Sequence, residues 1–250
     1  MQGQLIDDTS VSPQYVELSI DMPSQMHHSL FVMLFTNVRN AGAIRKALLN
    51  RELDAAVFDA SLVASPTCIA AAAARALCAW ERGDAVASSL HTELIYSFFG
   101  GKNVGDALRA LGPRDVESMD LLVALFYNNN NNNNKDDGGN NSSSGDMTMM
   151  QKKRQRIVEL VDGPVSDIGL YYGVDEWIKA TDGNVYAGQV VLPSRADTQA
   201  IANLYKISTE EMALPPSTSE ALVAAVLSRI AIKALPIGNG GGGGGGSGMT

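Results

Sequence analysis

The sequence SPTCIAAAAARALCAWERG, residues 65–83, predicts a long helix at the centre of the fold. Ser65 can cap this helix by accepting a hydrogen bond from a free backbone amide, and Pro66 suits the first helical position because an N–H there has no partner in any case. Gly83 readily adopts the left-handed conformation that ends many helices. Because alanine has little side-chain bulk, residues 70–76 allow another backbone to approach closely, and we expect neighbouring elements to cover this helix.

The only two cysteines, Cys68 and Cys78, both lie on this predicted helix. Their positions are about 15 Å apart along a helix axis. A disulfide requires Cα atoms within roughly 7 Å of each other. We therefore expect two free thiols, which fits a reducing intracellular compartment.

The rest of the chain alternates predicted strands with predicted helices. Alternating or short apolar runs indicate strands, and apolar residues spaced by three and four behind a capping residue indicate helices. The predicted strands are 15–20, 30–35, 53–63, 90–99, 119–127 and 157–161, with His27 and His28 in the loop between the first two. The other predicted helices are 41–50 capped by Asn40, 104–111, 196–204, and 220–235 capped by Ser219.

Short connections between these elements predict an α+β fold with a small, mostly antiparallel sheet packed against several helices. Two segments lack residues that could be buried: 128–147, which begins with seven asparagines, and the glycine-rich tail 237–250. We expect both to be disordered. Residues 1–127 and 148–236 then form one domain, which the first segment interrupts.

Composition excludes several classes of protein. The 250 residues carry a formal net charge of −8, so we expect no general affinity for nucleic acid, and any RNA contact must be local or shared with a basic partner. The first ten residues are polar and acidic and contain no apolar core of a signal peptide. No segment reaches the roughly 20 apolar residues of a membrane span, so no membrane partner is expected.

A search for catalytic chemistry finds no combination of nucleophile, base and electrostatic stabiliser. Three histidines and two cysteines, at no ligand spacing, predict neither a metal site nor a cofactor site. The segment FFGGKNVGDAL, residues 98–108, resembles a phosphate-binding loop, but Gly101-Lys102 is followed by Asn103 instead of Ser or Thr. A plain turn between a strand and a helix is the favoured interpretation.

Several polar residues leave two interpretations open. His91 and Glu93 share one face of their predicted strand, either as an acid/base pair or as a hydrogen-bonded, half-buried patch, while Thr92 points away. Arg39, Arg45 and Lys46 either meet phosphates or form a solvated helix face. The basic run 152–156 is most simply the solvated approach to the strand at 157–161.

The last predicted helix carries apolar residues around most of its circumference, so it must be covered on more than one side. Its apolar residues are Ala221, Leu222, Val223, Val226, Leu227, Ile230, Ile232 and Leu235. Either the core of this chain buries the whole helix or a partner covers one face. Arg229 and Lys233, one turn apart, mark its most polar edge.

Several of these segments together resemble one family. They are LFTNVRNAGAIRKALL (34–49), LDAAVFDASLV (53–63), the alanine-rich helix, SLHTELIYSF (89–98), NVGDALRALG (103–112), the apolar strand 119–126, NLYKIS (203–208) and the final helix 221–235 with its Ser-Arg-Ile-Ala-x-Lys pattern. In order and spacing they are similar to the PRPK-binding protein family of the KEOPS (EKC) complex. The two low-complexity segments are not part of the family pattern.

The resemblance implies a non-catalytic accessory subunit that binds an atypical, kinase-like ATPase, which in turn holds a threonylcarbamoyl transferase subunit. It also implies help in recruiting tRNA, through its 3′ end, for threonylcarbamoyl-adenosine modification in the nucleus and cytoplasm, and a link to telomere maintenance. The residues expected at the kinase are Leu222, Val226, Arg229, Ile230 and Lys233. Those expected at RNA are Arg39, Lys46 and His91.

Two alternatives to the accessory subunit remain open. An autonomous tRNA-binding module would depend on Arg39, Arg45, Lys46 and the run 152–156, and its affinity would fall steeply with salt. A phosphate-using enzyme would be centred on residues 100–105 and would lose nucleotide binding on Lys102→Ala.

Overall fold

The computed structural model describes residues 15–21, 27–128, 143–172, 192–215 and 217–233. These residues form an α+β fold, as predicted. The strands are β1 (Val16–Asp21), β2 (His27–Val38), β3 (Ala56–Asp59), β4 (Met119–Asn128) and β5 (Val165–Ser166). The helices are α1 (Ala41–Leu49), α2 (Pro66–Arg82), α3 (Leu90–Phe98), α4 (Val104–Leu111), α5 (Ser143–Leu160), α6 (Ile168–Tyr172), α7 (Thr198–Tyr205), α8 (Thr209–Met212) and α9 (Thr218–Ile232).

The strands form one sheet in the order β1-β2-β4-β3, with β5 beside the far half of β2. Every pairing is antiparallel, which confirms the predicted sheet. The register between β2 and β4 shifts between Phe35 and Val38. Asn37 lies within this bulge with a left-handed φ of 51°, a conformation that asparagine tolerates better than most residues.

Helices cover both faces of the sheet, because alternate side chains of each strand point to opposite sides. On the first face, Leu30, Val32 and Leu34 pack with residues of α2, α3, α4, α6, α7 and α9. On the second face, the intervening residues of β2 pack with residues of α1 and α5. The sheet therefore separates two apolar cores.

Helix α2 has the ends that its sequence predicts. The Ser65 side chain accepts from the amide of Thr67 at 3.2 Å, and Gly83 ends the helix with a φ of 74°. Its alanines from 70 to 76 lie in or against the first-face core, where α2 packs against α3 and α9. Both cysteines are free, as expected.

Residues 90–98 form helix α3, so the predicted strand is wrong. The Ser89 side chain caps this helix by accepting from the amide of Thr92 at 3.2 Å. Almost every residue from His91 to Phe98 is buried. A helix enclosed on nearly all sides shows no polar stripe, and its apolar run therefore resembled that of a strand.

The strand predicted at 157–161 is also wrong, because residues 157–160 belong to α5. Ile157 and Val161, four residues apart, both pack into the second-face core. The basic run before them therefore lies on a helix and does not approach a strand.

Smaller differences concern loops and caps. His27 and His28 both lie in β2 and not in a loop. Ser217, not Ser219, caps α9 by accepting from the amide of Glu220 at 3.2 Å. Asn40 precedes α1, but its side chain bonds to the backbone of Leu160 and Asp162 instead of capping α1. Of the predicted insertion 128–147, Asn128 ends β4 and residues 143–147 begin α5, while 129–142 lie outside the described residues, as does the tail 237–250.

Candidate partner-binding surface

Helix α9 has one face inside the protein and one outside. Leu222, Val226 and Ile230 are 0%, 0% and 2% exposed and belong to the first-face core. A partner can therefore meet this helix only through other residues. The apolar stripe of Leu222, Val226 and Ile230 is therefore buried in the chain's own core.

The opposite side of this helix, the outer face of α9, consists of exposed Ala224, Ser228, Ala231 and Ile232. Ile232 is 61% exposed. Leu214, in the loop after α8, is 57% exposed and lines a shallow groove with Ala224 and Ser228. Small residues beside two exposed aliphatic side chains form a surface on which another chain can pack closely.

Arg229 fixes helix α8 against this groove. Its guanidinium bonds to both carboxylate oxygens of Glu211 at 2.9 Å and to the carbonyl oxygen of Tyr205 at 3.1 Å. The backbone amide of Ser208, and after it Arg229, hold the pKa of the Glu211 carboxyl below its ordinary value. The groove is therefore lined by a side chain that several bonds hold in place.

Lys233 follows α9 and joins it to the end of α3. Its ammonium donates to the carbonyl oxygens of Tyr96 at 2.6 Å and Phe99 at 2.9 Å, and lies 3.4 Å from the centre of the Tyr96 ring. The Arg75 guanidinium of α2 lies 5.9 Å from the same ring. Burial, and after it the charge of Arg75, lower the pKa of Lys233 to about 7.

The negative charge of the Glu93 carboxylate acts on both Arg75 and Lys233. It is 1% exposed, and its Oε2 accepts from the amides of Val86 at 2.9 Å and Ala87 at 2.8 Å. The carboxylate therefore anchors the loop before α3. This role favours the hydrogen-bonded patch over an acid/base pair.

Comparison with known proteins identifies the family of this chain. The family model described as "Kinase binding protein CGI-121" matches residues 35–234 of the 250. The chain belongs to the CGI-121 family of kinase-binding proteins. This confirms the family resemblance found in the sequence.

Two curated relatives of this CGI-121 family member are each named "EKC/KEOPS complex subunit CGI121". The protein of Coccidioides immitis (strain RS) is 34% identical over 98 residues, which cover 38% of this chain and 47% of the relative. The protein of Yarrowia lipolytica (strain CLIB 122 / E 150) is 31% identical over 93 residues, which cover 36% and 55%. The matched stretches thus span about half the length of these relatives.

The three residues predicted to contact RNA differ in exposure in this CGI-121 family member. Arg39 is exposed and pairs with Asp162 at 3.0 Å, and Lys46 is exposed on α1. His91 is 8% exposed, and both of its ring nitrogens have protein partners, Asp54 at 2.8 Å and the Phe126 amide at 3.1 Å. His91 is therefore a structural residue, which its placement in a strand had concealed.

Helix α5 carries a basic face formed by the run 152–156, which the sequence had indicated either as the solvated approach to a strand or as part of a tRNA contact. Lys152, Lys153 and Arg156 are exposed on neighbouring positions of this helix. Arg154 lies 3.5 Å over the ring of Tyr15, which is 38% exposed. Three exposed cations on neighbouring positions of one helix can bind a phosphate backbone.

Two buried aspartates anchor arginines at one end of the sheet. Asp120 accepts from both the Asn37 amide and Arg195 at 2.9 Å, and Asp59 pairs with Arg114. Both guanidinium groups remain about half exposed. Because Asp59 ends β3 and Asp120 lies near the start of β4, these pairs tie loops to the sheet.

The glycine-rich loop after α3 does not have the context of a phosphate-binding loop, since it follows a helix and not a strand. The Asn103 side chain caps α4 by accepting from the amide of Asp106 at 3.1 Å. Gly100 lies so close to α7 that an added Cβ would be 3.3 Å from the carbonyl oxygen of Leu204. Among the described residues, no group of His, Cys, Asp and Glu is placed to hold a metal ion, and no helix could cross a membrane.

Proposed function

We propose that this chain is a non-catalytic subunit of an EKC/KEOPS-type complex and that it binds a kinase-like subunit through the outer face of α9. The family description and the names of the two relatives support the partner class. The choice of surface rests on the division of α9 into a fully buried stripe and an exposed face. The exposed face includes Ile232, and two of its residues, Ala224 and Ser228, line the groove with Leu214.

The physical case for this face rests on shape and rigidity. Alanine and serine allow a partner backbone to approach closely, while Ile232 and Leu214 supply exposed apolar area that a partner can remove from water. The bonds of Arg229 hold α8 in place beside the groove, so little side-chain freedom is lost on association.

Under this proposal, the five residues predicted to contact the kinase have two different roles. Leu222, Val226 and Ile230 support the surface from inside. Arg229 and Lys233 are partly exposed at its edge and are the ones that contact the partner. No catalytic role is proposed, because His91 and Glu93 are both occupied by structural hydrogen bonds.

Co-expression with the kinase subunit of the same organism, followed by size-exclusion chromatography, tests the proposal. Two exposed helical alanines offer a matched pair of variants, Ala224→Arg on the outer face of α9 and Ala43→Arg on α1. We expect the wild type and Ala43→Arg to co-elute with the kinase, and Ala224→Arg to elute alone with unchanged thermal unfolding. Co-elution of both variants would place the contact elsewhere, and no co-elution of the wild type would refute the proposed partner.

A second proposal is a tRNA contact in support of threonylcarbamoyl-adenosine modification. The basic face of α5 favours it, with Arg39 and Lys46 as further exposed cations on the same side of the sheet. The net charge of −8 argues for a contact shared with a basic partner rather than an autonomous tRNA-binding module.

A further inference from the structure

Strand β1 forms one edge of the sheet. Among the described strands it pairs only with β2, and its six residues keep one unbroken register, from Val16 opposite Val32 to Asp21 opposite His27. The strand contains no proline and no bulge, two devices with which many proteins protect an edge strand. β1 therefore presents a regular edge.

The direction of the β1 backbone groups follows from hydrogen bonds elsewhere in the sheet. In an antiparallel pair, opposite residues either exchange both backbone hydrogen bonds or point both groups away from each other. The Phe126 amide donates to His91 instead of β2, so Leu30, opposite Phe126, points its backbone groups away from β4 and toward β1. The Thr36 amide of β2 donates to the Pro164 carbonyl oxygen, also on the side away from β4, which agrees with this alternation.

The same alternation identifies the backbone groups on the open edge of β1. Leu18 lies opposite Leu30, so the backbone groups of Leu18 bond to β2. Glu17 and Ser19, the residues on either side of Leu18, therefore point their N–H and C=O groups to the open edge. Among the described residues, none of these four groups has a hydrogen-bond partner. An added strand can bond to all four.

The two rows of β1 side chains define the chemistry of such a strand. Val16, Leu18 and Ile20 belong to the first-face core, so a neighbouring strand fits best with apolar side chains in the row beside them. Glu17 lies opposite Phe31 on the second face and is exposed. A lysine or arginine beside Glu17 would supply the opposite charge.

We propose that β1 binds an extended segment of another protein as an additional antiparallel strand, with lysine or arginine in the row beside Glu17 and apolar side chains in the row beside Leu18. Backbone hydrogen bonds to Glu17 and Ser19 supply affinity, and the two side-chain rows supply specificity. The net charge of −8 favours a basic segment over a second copy of the chain, because two copies repel each other. This inference does not depend on the kinase contact proposed for α9.

Synthetic peptides added to the full chain test this inference. The probes are a peptide of alternating valine and lysine and the matched peptide of alternating valine and glutamate. Two further versions of the first peptide carry N-methyl groups on the lysine amides, which face β1 in an antiparallel pair, or on the valine amides, which face away. Fluorescence anisotropy measures binding, and NMR hydrogen exchange measures the protection of each β1 amide.

Two variants separate the charge of Glu17 from general attraction to an acidic protein. They are Glu17→Lys and the control Glu117→Lys, which makes the same change at an exposed residue two positions before Met119, at the other end of β2. Thermal unfolding checks that each variant folds.

We expect the valine–lysine peptide to bind the wild type and Glu117→Lys. Binding should slow exchange at the Glu17 and Ser19 amides by at least about tenfold and leave the Leu18 amide, already bonded to β2, unchanged. N-methyl groups on the lysine amides should abolish binding, and those on the valine amides should not. The valine–glutamate peptide should bind Glu17→Lys in preference to the wild type.

Three results would overturn the proposal: no binding of the valine–lysine peptide, binding without slower exchange at Glu17 and Ser19, or equal affinity in Glu17→Lys and the wild type. Slower exchange at both amides when the concentration of the peptide-free chain is raised would assign the edge to a second copy, and would overturn it as well.

Discussion

His91 Nδ1 donates to the Asp54 carboxylate, 2.8 Å away, while Nε2 accepts from the amide of Phe126 at 3.1 Å. This tautomer follows from the amide, which can only donate. β3 begins at Ala56, opposite Ala124, so Phe126 lies beyond the end of that strand. The imidazole therefore takes the place of a neighbouring strand at the edge of β4.

Replacing His91 by phenylalanine should lower the free energy of unfolding by about 1–3 kcal/mol, because the Phe126 amide loses its acceptor. His91→Gln keeps an amide that can accept from Phe126, and it should lose less. Urea unfolding at pH 7 measures both. Equal stability of the wild type and His91→Phe would show that water satisfies the amide equally well.

The Asp54 carboxyl should titrate below its ordinary pKa of 3.8, chiefly because His91 donates a hydrogen bond to it and because the charge of Lys153 lies nearby. A lowered pKa in the folded state means that this group stabilises the fold above pH 3.8 and loses that contribution as the pH falls through the lower value. NMR titration of the wild type and His91→Phe measures the effect. The same Asp54 midpoint in both proteins would contradict it.

The two faces of α9 should respond differently to the loss of an aliphatic side chain. Leu222→Ala removes a fully buried side chain from the first-face core and should lower the free energy of unfolding by about 2–5 kcal/mol. Ile232→Ala, at a site 61% exposed, should change it by less than about 0.5 kcal/mol. Denaturant midpoints measure both, and a large loss in Ile232→Ala would mean that the chain itself covers this residue.

The basic face of α5 should determine the salt dependence of tRNA binding by the assembled complex. Replacing Lys152 and Arg156 by alanine should reduce the slope of log K against log salt by about 1 for each phosphate that the variant no longer neutralises. Lys102→Ala, an exposed lysine in the loop before α4, serves as control. Filter binding at several salt concentrations gives the slopes, and identical slopes in all three proteins would exclude α5 from the contact.

The Cys68 thiol should resist alkylation in the folded protein. Burial raises its pKa to about 12, so almost no reactive thiolate is present at pH 8. Mass spectrometry after iodoacetamide treatment should find Cys68 unlabelled in the native state and labelled in urea. Labelling of Cys68 in the native state at the rate seen in urea would mean that α2 opens readily.

The sequence predicted the parts of the fold whose signals are local. Ser65, Pro66 and Gly83 give α2 its ends, while the alternation of residues 15–20 and the apolar run 30–35 predicted β1 and β2. These signals depend on a few neighbouring residues and on backbone conformations that those residue types favour, so the rest of the chain did not alter them.

The wrong predictions concern segments in which burial or the neighbouring sequence hid the helical spacing of the apolar residues. Helix α3 is enclosed on nearly all sides and lacks a polar stripe, although Ser89 is a good capping residue. The beginning of α5 follows the asparagine-rich segment, which concealed the spacing of Lys152 and Arg156. Arg75 and Lys233 meet across 158 positions, and no local pattern could have paired them.

The position of β4 in the middle of the sheet also affects how the protein is made. β2 and β3 flank β4 and do not pair with each other, yet both precede it in the chain, β3 ending at Asp59 and β4 starting only at Met119. During synthesis the ribosome must therefore release the chain through β4 before β3 gains its partner strand. Until then the nascent chain exposes apolar strand edges, which makes this interval the time when chaperones are most needed.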